Sequence, residues 1–193
     1  MIDYNTLLEI WDRNFEYCFS AELKDTQIHL DMDKRDGNWW NENRRMEFEG
    51  NPIQERMVGK KQSSIMHCPK TGNVVCHLFG FGSITPAERE VLNSLMVAEN
   101  IDPTQLIGIG GLHVPANTEL PYHIDVVPIR WNWANTFVVS GLDADISLYV
   151  DDKKVFKFSG LRRFQLYPHY VVHGAVTKSE PLKLLQFLTK NET

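Results

Sequence analysis

The sequence predicts a mainly β domain, a sandwich or barrel with flanking helices, and three observations carry that expectation. From Gln105 onward the chain breaks into short apolar segments about ten residues apart, joined by Gly, Pro, Asn and Asp in the manner of strands and tight turns. Two stretches with helical periodicity precede them. The composition, 193 residues with 42% hydrophobic and 23% charged side chains, is that of one globular domain rather than a disordered chain. No apolar run approaches the roughly 18 residues that a membrane span requires, so no membrane partner is expected.

The elements follow in order. Asn5 or Thr6 can cap a first helix whose Leu8, Trp11, Phe15 and Cys18 fall on one core-facing stripe. From about Asp31 to Lys61 the chain is polar and irregular, with Asp36-Gly37 and Gly50-Asn51-Pro52 as turn signals; carrying Trp39-Trp40 and Arg44-Arg45, it reads as a surface excursion or a lid. Thr85-Pro86-Ala87-Glu88 is a capping box with Pro at the first helical position, opening a second helix with Val91, Leu92, Leu95 and Met96 on its apolar face and an end near Asn100. Strands are expected at Leu106–Val114, Tyr122–Val127, Asn135–Ser140, Ile146–Val150, Lys154–Phe158, Arg163–Tyr167, Val171–Val176 and Lys183–Leu188, with Asp151-Asp152 as a tight hairpin. No linker or low-complexity tract interrupts them. Residues 1–193 are thus read as a single domain, with about 1–104 a helical and irregular part packed on a β core of about 105–190.

The charge balance, 20 Lys+Arg against 25 Asp+Glu for a net −5, offers no footprint for nucleic acid. Three cysteines, Cys18, Cys68 and Cys76, are sparse and odd in number, which suits a reducing compartment. The start of the chain lacks a basic stretch followed by an apolar one, so a cytoplasmic location is the expectation. The seven histidines are the feature with chemical content.

His123-Ile124-Asp125 lies in the second expected strand, where positions two apart share a face, so an imidazole and a carboxylate stand side by side. His173, followed by Gly174, lies in the seventh. Two ligands from one strand and a third from a distant one make a 2-His-1-carboxylate triad, which leaves coordination positions of an Fe(II) ion open. Lys183 follows ten residues after His173. In the barrel interior it would need an anion, since an unpaired buried charge is costly; on the outer face it would be ordinary, and Leu182, Leu184, Leu185 and Phe187 around it do not decide between the two. His169 shares strand parity with His173 and is a rival distal ligand. His113 is a candidate substrate group or a packing histidine. His67-Cys68 and Cys76-His77 flank a turn and could clasp a zinc ion, although their spacing departs from the common one. Gly108-Ile109-Gly110-Gly111 lacks the helix that a phosphate loop opens and reads as a tight β segment.

On His123, Asp125, His173-Gly174 and Lys183 the chain resembles the 2-oxoglutarate and Fe(II)-dependent oxygenases. The resemblance covers about residues 105 to 190 and implies a double-stranded β-helix, the jelly-roll or cupin-like core. Ile146 to Val150, Phe164 and His173 to Leu185 are similar to the aspartyl/asparaginyl β-hydroxylase branch, while Lys at position 183 is commoner in prolyl hydroxylases. The resemblance implies His123, Asp125 and His173 as metal ligands, and Lys183, Arg130 and Asn132 as contacts to 2-oxoglutarate. It implies Fe(II), 2-oxoglutarate and O2 as cofactor and cosubstrates. The reaction would be hydroxylation of an unactivated C–H bond, in a free amino acid or a protein side chain, with release of succinate and CO2. Trp131, Trp133, Phe137 and Tyr149 are candidates for a water-excluding surround. The competing expectations are a non-catalytic cupin-like module, which needs no cation ten residues beyond the distal His, and a metal-dependent isomerase or dioxygenase without a keto acid.

Overall fold

The chain opens with a carboxylate that organises the backbone behind it. Asp3 accepts hydrogen bonds from the N–H groups of Asn5 (3.0 Å) and Thr6 (3.4 Å), capping α1 (Tyr4–Cys18). The cap therefore lies ahead of Asn5 and Thr6, which are inside the first turn. The buried stripe is Leu7, Ile10, Trp11, Asn14 and Cys18, with Leu8 and Phe15 half-buried on its flank. In a computed structural model, residues 3–31, 63–68, 71–123, 133–150, 153–166 and 171–189 are described. The expected lid region with Trp39-Trp40 and Arg44-Arg45, the Asp151-Asp152 turn and His169 lie outside them.

After a 3-10 segment at Ala21–Thr26 come three strands the periodicity does not announce: β1 (Gln27–Asp31), β2 (Ser63–His67) and β3 (Val74–Gly80). The second helix, α2 (Pro86–Ala98), has the capping box, with Thr85 Oγ1 accepting from the Glu88 N–H and the Glu88 carboxylate accepting from the Thr85 N–H. It buries Leu92, Leu95 and Met96, whereas Val91 stays 37% exposed. No helix among the described residues is long and apolar enough to cross a membrane.

The remaining strands are β4 (Leu106–Val114), β5 (Glu119–His123), β6 (Trp133–Ser140), β7 (Asp145–Val150), β8 (Lys153–Phe158), β9 (Arg163–Leu166), β10 (Val172–Val176) and β11 (Leu182–Thr189). One sheet has the order β1-β2-β3-β4-β11-β6-β9 and the other β5-β10-β7-β8. Only the β1–β2 ladder is parallel among the described pairs. From β4 to β11 the chain deals eight strands into two four-stranded halves, β4-β11-β6-β9 and β5-β10-β7-β8. This is a jelly roll.

The larger sheet is apolar on both faces. Leu112, Val114, Val138, Leu182 and Leu184 meet Leu120, Ile146 and Ala175 of the smaller sheet. On the opposite face Phe79, Phe137, Val139, Leu185 and Phe187 pack under α1 and α2. Each such side chain contributes about 1.5–3 kcal/mol on burial, so the helices are held mainly by apolar area. Polar bonds set their position. Trp11 Nε1 donates to the Leu184 carbonyl oxygen (2.8 Å), where a register shift between Lys183 and Leu184 opens the β11–β6 ladder. The Arg13 guanidinium pairs with the Glu88 carboxylate and ties α1 to α2.

Candidate active site

The site begins with a strand pairing. β10 lies between β5 and β7, and His173 stands opposite His123 on β5 and Leu148 on β7. The two histidines nominated by the sequence, 50 positions apart, are thus cross-strand neighbours. Gly174 makes the approach possible. A Cβ there would lie 2.9 Å from both the Leu120 carbonyl oxygen and Tyr122 Cδ1, at the register shift between His173 and Ala175.

His173 Nδ1 lies 2.9 Å from the Val171 carbonyl oxygen. A carbonyl only accepts, so Nδ1 carries the proton and Nε2 of the neutral ring carries the lone pair. A backbone carbonyl fixing one ring nitrogen so that the other can ligate is the usual support of a metal-binding histidine. The ring chemistry therefore fits a metal. Among the described residues no group of three or more His, Cys, Asp or Glu side chains is placed to hold an ion. Asp125, Arg130 and Asn132 lie outside those residues, as does Trp131, and of His123 the backbone is described. The cleft beside His173 is walled by Leu112, Leu120, Ile146, Leu148, Phe164 and Leu184, among others.

Lys183 is not in this cleft. Alternation along β11 turns Leu182, Leu184 and Gln186 to the cleft and Lys183 to α1, where Nζ is 2.6 Å from Asp12 Oδ1 and 5.1 Å from the Trp11 ring centroid. The sequence expectation that Lys183 contacts a cosubstrate thus meets a side chain that faces away from the cleft. The lysine is committed to an ion pair and a cation–π contact on the far side of its own strand.

His113 belongs to that far side too. It is in register with Lys183 on one neighbour and His77 on the other. Its Nδ1 is 3.1 Å from His77 Nδ1, one nitrogen donating and the other accepting, and both rings pack on Phe15. Burial, then His77 and Lys183, push the His113 pKa down to about 4, with Asp12 opposing. Burial, with His67 adding, lowers that of His77. The expected zinc clasp does not form. Cys76 enters the inter-sheet core while His77 packs on Phe15 and Phe19 beneath α1, because adjacent strand residues face opposite ways. The glycine run is a strand, as expected. A Cβ at Gly111 would come 2.2 Å from the Phe79 ring, so glycine lets that ring lie across β4.

The parity of β11 also exposes a residue the sequence reading passed over. Gln186 is, with His173, the polar side chain among the described residues lining the cleft. Its signal was faint: a lone polar position on the face otherwise formed by Leu182 and Leu184.

No protein-family model matches the chain, and no curated protein matches its sequence. Among solved structures it is similar to the cupin domain of Cnp3 from Schizosaccharomyces pombe, at 13% identity over 60% of this chain and 65% of that one, with a TM-score of 0.36. It is also similar to oxalate decarboxylase from Bacillus subtilis (12% identity, 60% and 26% of the two chains, TM-score 0.38). KdgF from Halomonas sp. is a third (15%, 48% and 77%, TM-score 0.32). The chain spans less than two thirds of the length of the first two. These are distant likenesses, and the jelly roll rests on strand order and register.

Proposed function

We propose that the chain is a metal-dependent oxygenase that hydroxylates an unactivated C–H bond, with Fe(II) held by His123, Asp125 and His173. The observation that carries this reading is the pairing of His173 with His123 on adjacent strands, with His173 Nδ1 bound to a backbone carbonyl. Bound Fe(II), with 2-oxoglutarate and O2, supplies the oxidising chemistry, one oxygen atom entering the C–H bond and the other the succinate released with CO2. The protein's own part is to orient the ligands and exclude water. Val171 fixes the His173 tautomer, and Leu120, Ile146, Leu148 and Leu184 keep the cleft apolar. With Lys183 turned to Asp12, the cation nominated for the far carboxylate of 2-oxoglutarate is Arg130. The substrate class is an amino-acid side chain, free or in a polypeptide.

Anaerobic Fe(II) titration with and without 2-oxoglutarate tests the reading. A visible charge-transfer band that needs both components and disappears in His123→Ala is the expected result. No band in the wild type, with the same metal affinity in the His123→Ala variant, would overturn it.

A further inference from the structure

The cleft face of the larger sheet has a second feature near Gln186. Gly80 of β3, Gly110 of β4, Gln186 of β11, Thr136 of β6 and Phe164 of β9 lie in one cross-strand row. Two of them have no side chain: a Cβ at Gly80 would meet nothing within 4 Å, as at Gly108 two positions along from Gly110, whereas one at Gly110 itself would come 3.2 Å from the Phe79 carbonyl oxygen. Small residues therefore leave space on one flank of Gln186, and Phe164 walls the cleft on the other.

A single long hydrogen bond orients the amide in that space. The Thr136 hydroxyl, fully buried, donates to the Ala134 carbonyl oxygen (3.4 Å) and accepts from Gln186 Nε2 (3.5 Å). With Nε2 directed at Thr136, the side chain keeps one N–H and the carbonyl oxygen Oε1 for a ligand. One donor beside one acceptor matches the edge of a primary carboxamide, which offers a carbonyl and an N–H side by side, whereas a trans peptide bond points the two in opposite directions. A carboxylate matches poorly, because it offers acceptors only and would face Oε1. Gln186 is half-buried, so its remaining N–H and Oε1 are within reach of a ligand in the cleft.

We infer that Gln186, oriented by Thr136 and flanked by Gly80 and Gly110, is an amide-recognition subsite of the cleft, taking a primary carboxamide in preference to a carboxylate. The inference rests on the reading of the cleft beside His173 as the substrate side. Its test needs no metal. Succinamide and succinate are titrated into the metal-free full chain and their dissociation constants measured by ligand-observed NMR. Succinamide should bind more tightly, and Gln186→Leu should weaken it about tenfold while leaving succinate unchanged. Gln186→Asn, which retracts the amide but keeps a polar residue, should also lose the preference, and Lys183→Ala should retain it. Equal binding of the two probes by the wild type, or an intact preference in a folded Gln186→Leu or Gln186→Asn protein, would overturn the inference. A preference for succinamide without an Fe(II) band would sink only the oxygenase reading; the band without the preference would sink only the amide subsite.

Discussion

A proton is unwelcome at His113. The ring touches His77 through Nδ1, Lys183 stands beside it in register on β11, and Asp12 on α1 is the acid that opposes them; His67 lies beyond His77. In the unfolded chain the imidazole takes a proton near its ordinary 6.5, whereas in the folded chain it does so at about 4. The unfolded state thus binds more protons in this window, and stability rises with pH through it. It is fully present above about pH 6.5 and is lost as the pH falls towards 4. Urea unfolding at pH 7 and pH 5 should therefore show lower stability at pH 5 in the wild type and a smaller difference in His113→Phe, whose ring keeps the packing on Trp11 and Phe15. An identical pH difference in both proteins would remove His113 as the cause.

Strand parity decides more of this site than residue type does. The segment Leu182-Lys183-Leu184-Leu185-Gln186-Phe187 is apolar on both faces because one face meets the smaller sheet and the other meets α1 and α2. A strand buried on both sides shows no alternation, so the sequence placed Lys183 at the right strand without fixing which way it points. The strands from Leu106 onward were legible because turns punctuate them; β1 and β2, with Gln27, Ser63 and Ser64, have the look of loop. The capping box of α2 was legible to the residue, while three cap-competent residues, Asp3, Asn5 and Thr6, competed at α1. At the site, His123 and His173 could be nominated from spacing, but their pairing depends on a register shift that no residue pattern announces. Lys183→Ala should leave the affinity for 2-oxoglutarate unchanged within about twofold and cost about 1 kcal/mol of stability, the scale of a half-exposed ion pair. Titration calorimetry and urea unfolding read the two effects. A large loss of affinity with unchanged stability would return Lys183 to the cleft.

At the scale of the whole molecule the two cores share their scaffold, since β4, β6 and β11 carry side chains into the core between the sheets and, from the same strands, into the layer under the helices. Neither core can loosen without the other. Trp11→Ala should cost about 3–5 kcal/mol, the range for a large buried aromatic, and additionally leave the Leu184 carbonyl without the indole donor. Helical and β-sheet circular-dichroism signals should still melt together, at a lower temperature. Separate transitions would show that the helices form an independent layer.

The bond from Trp11 to Leu184 joins positions 173 apart. A ribosome makes α1 long before it makes β11, so the helix emerges with Trp11 and Phe15 bare and without the strand that completes their seat. During that interval the aromatic stripe is available to chaperones and to other nascent chains. Phenylalanine at position 11 would fill much the same space yet carry no N–H for the waiting carbonyl, so the cost of that substitution would fall on the final closure of the chain, after translation has passed β11.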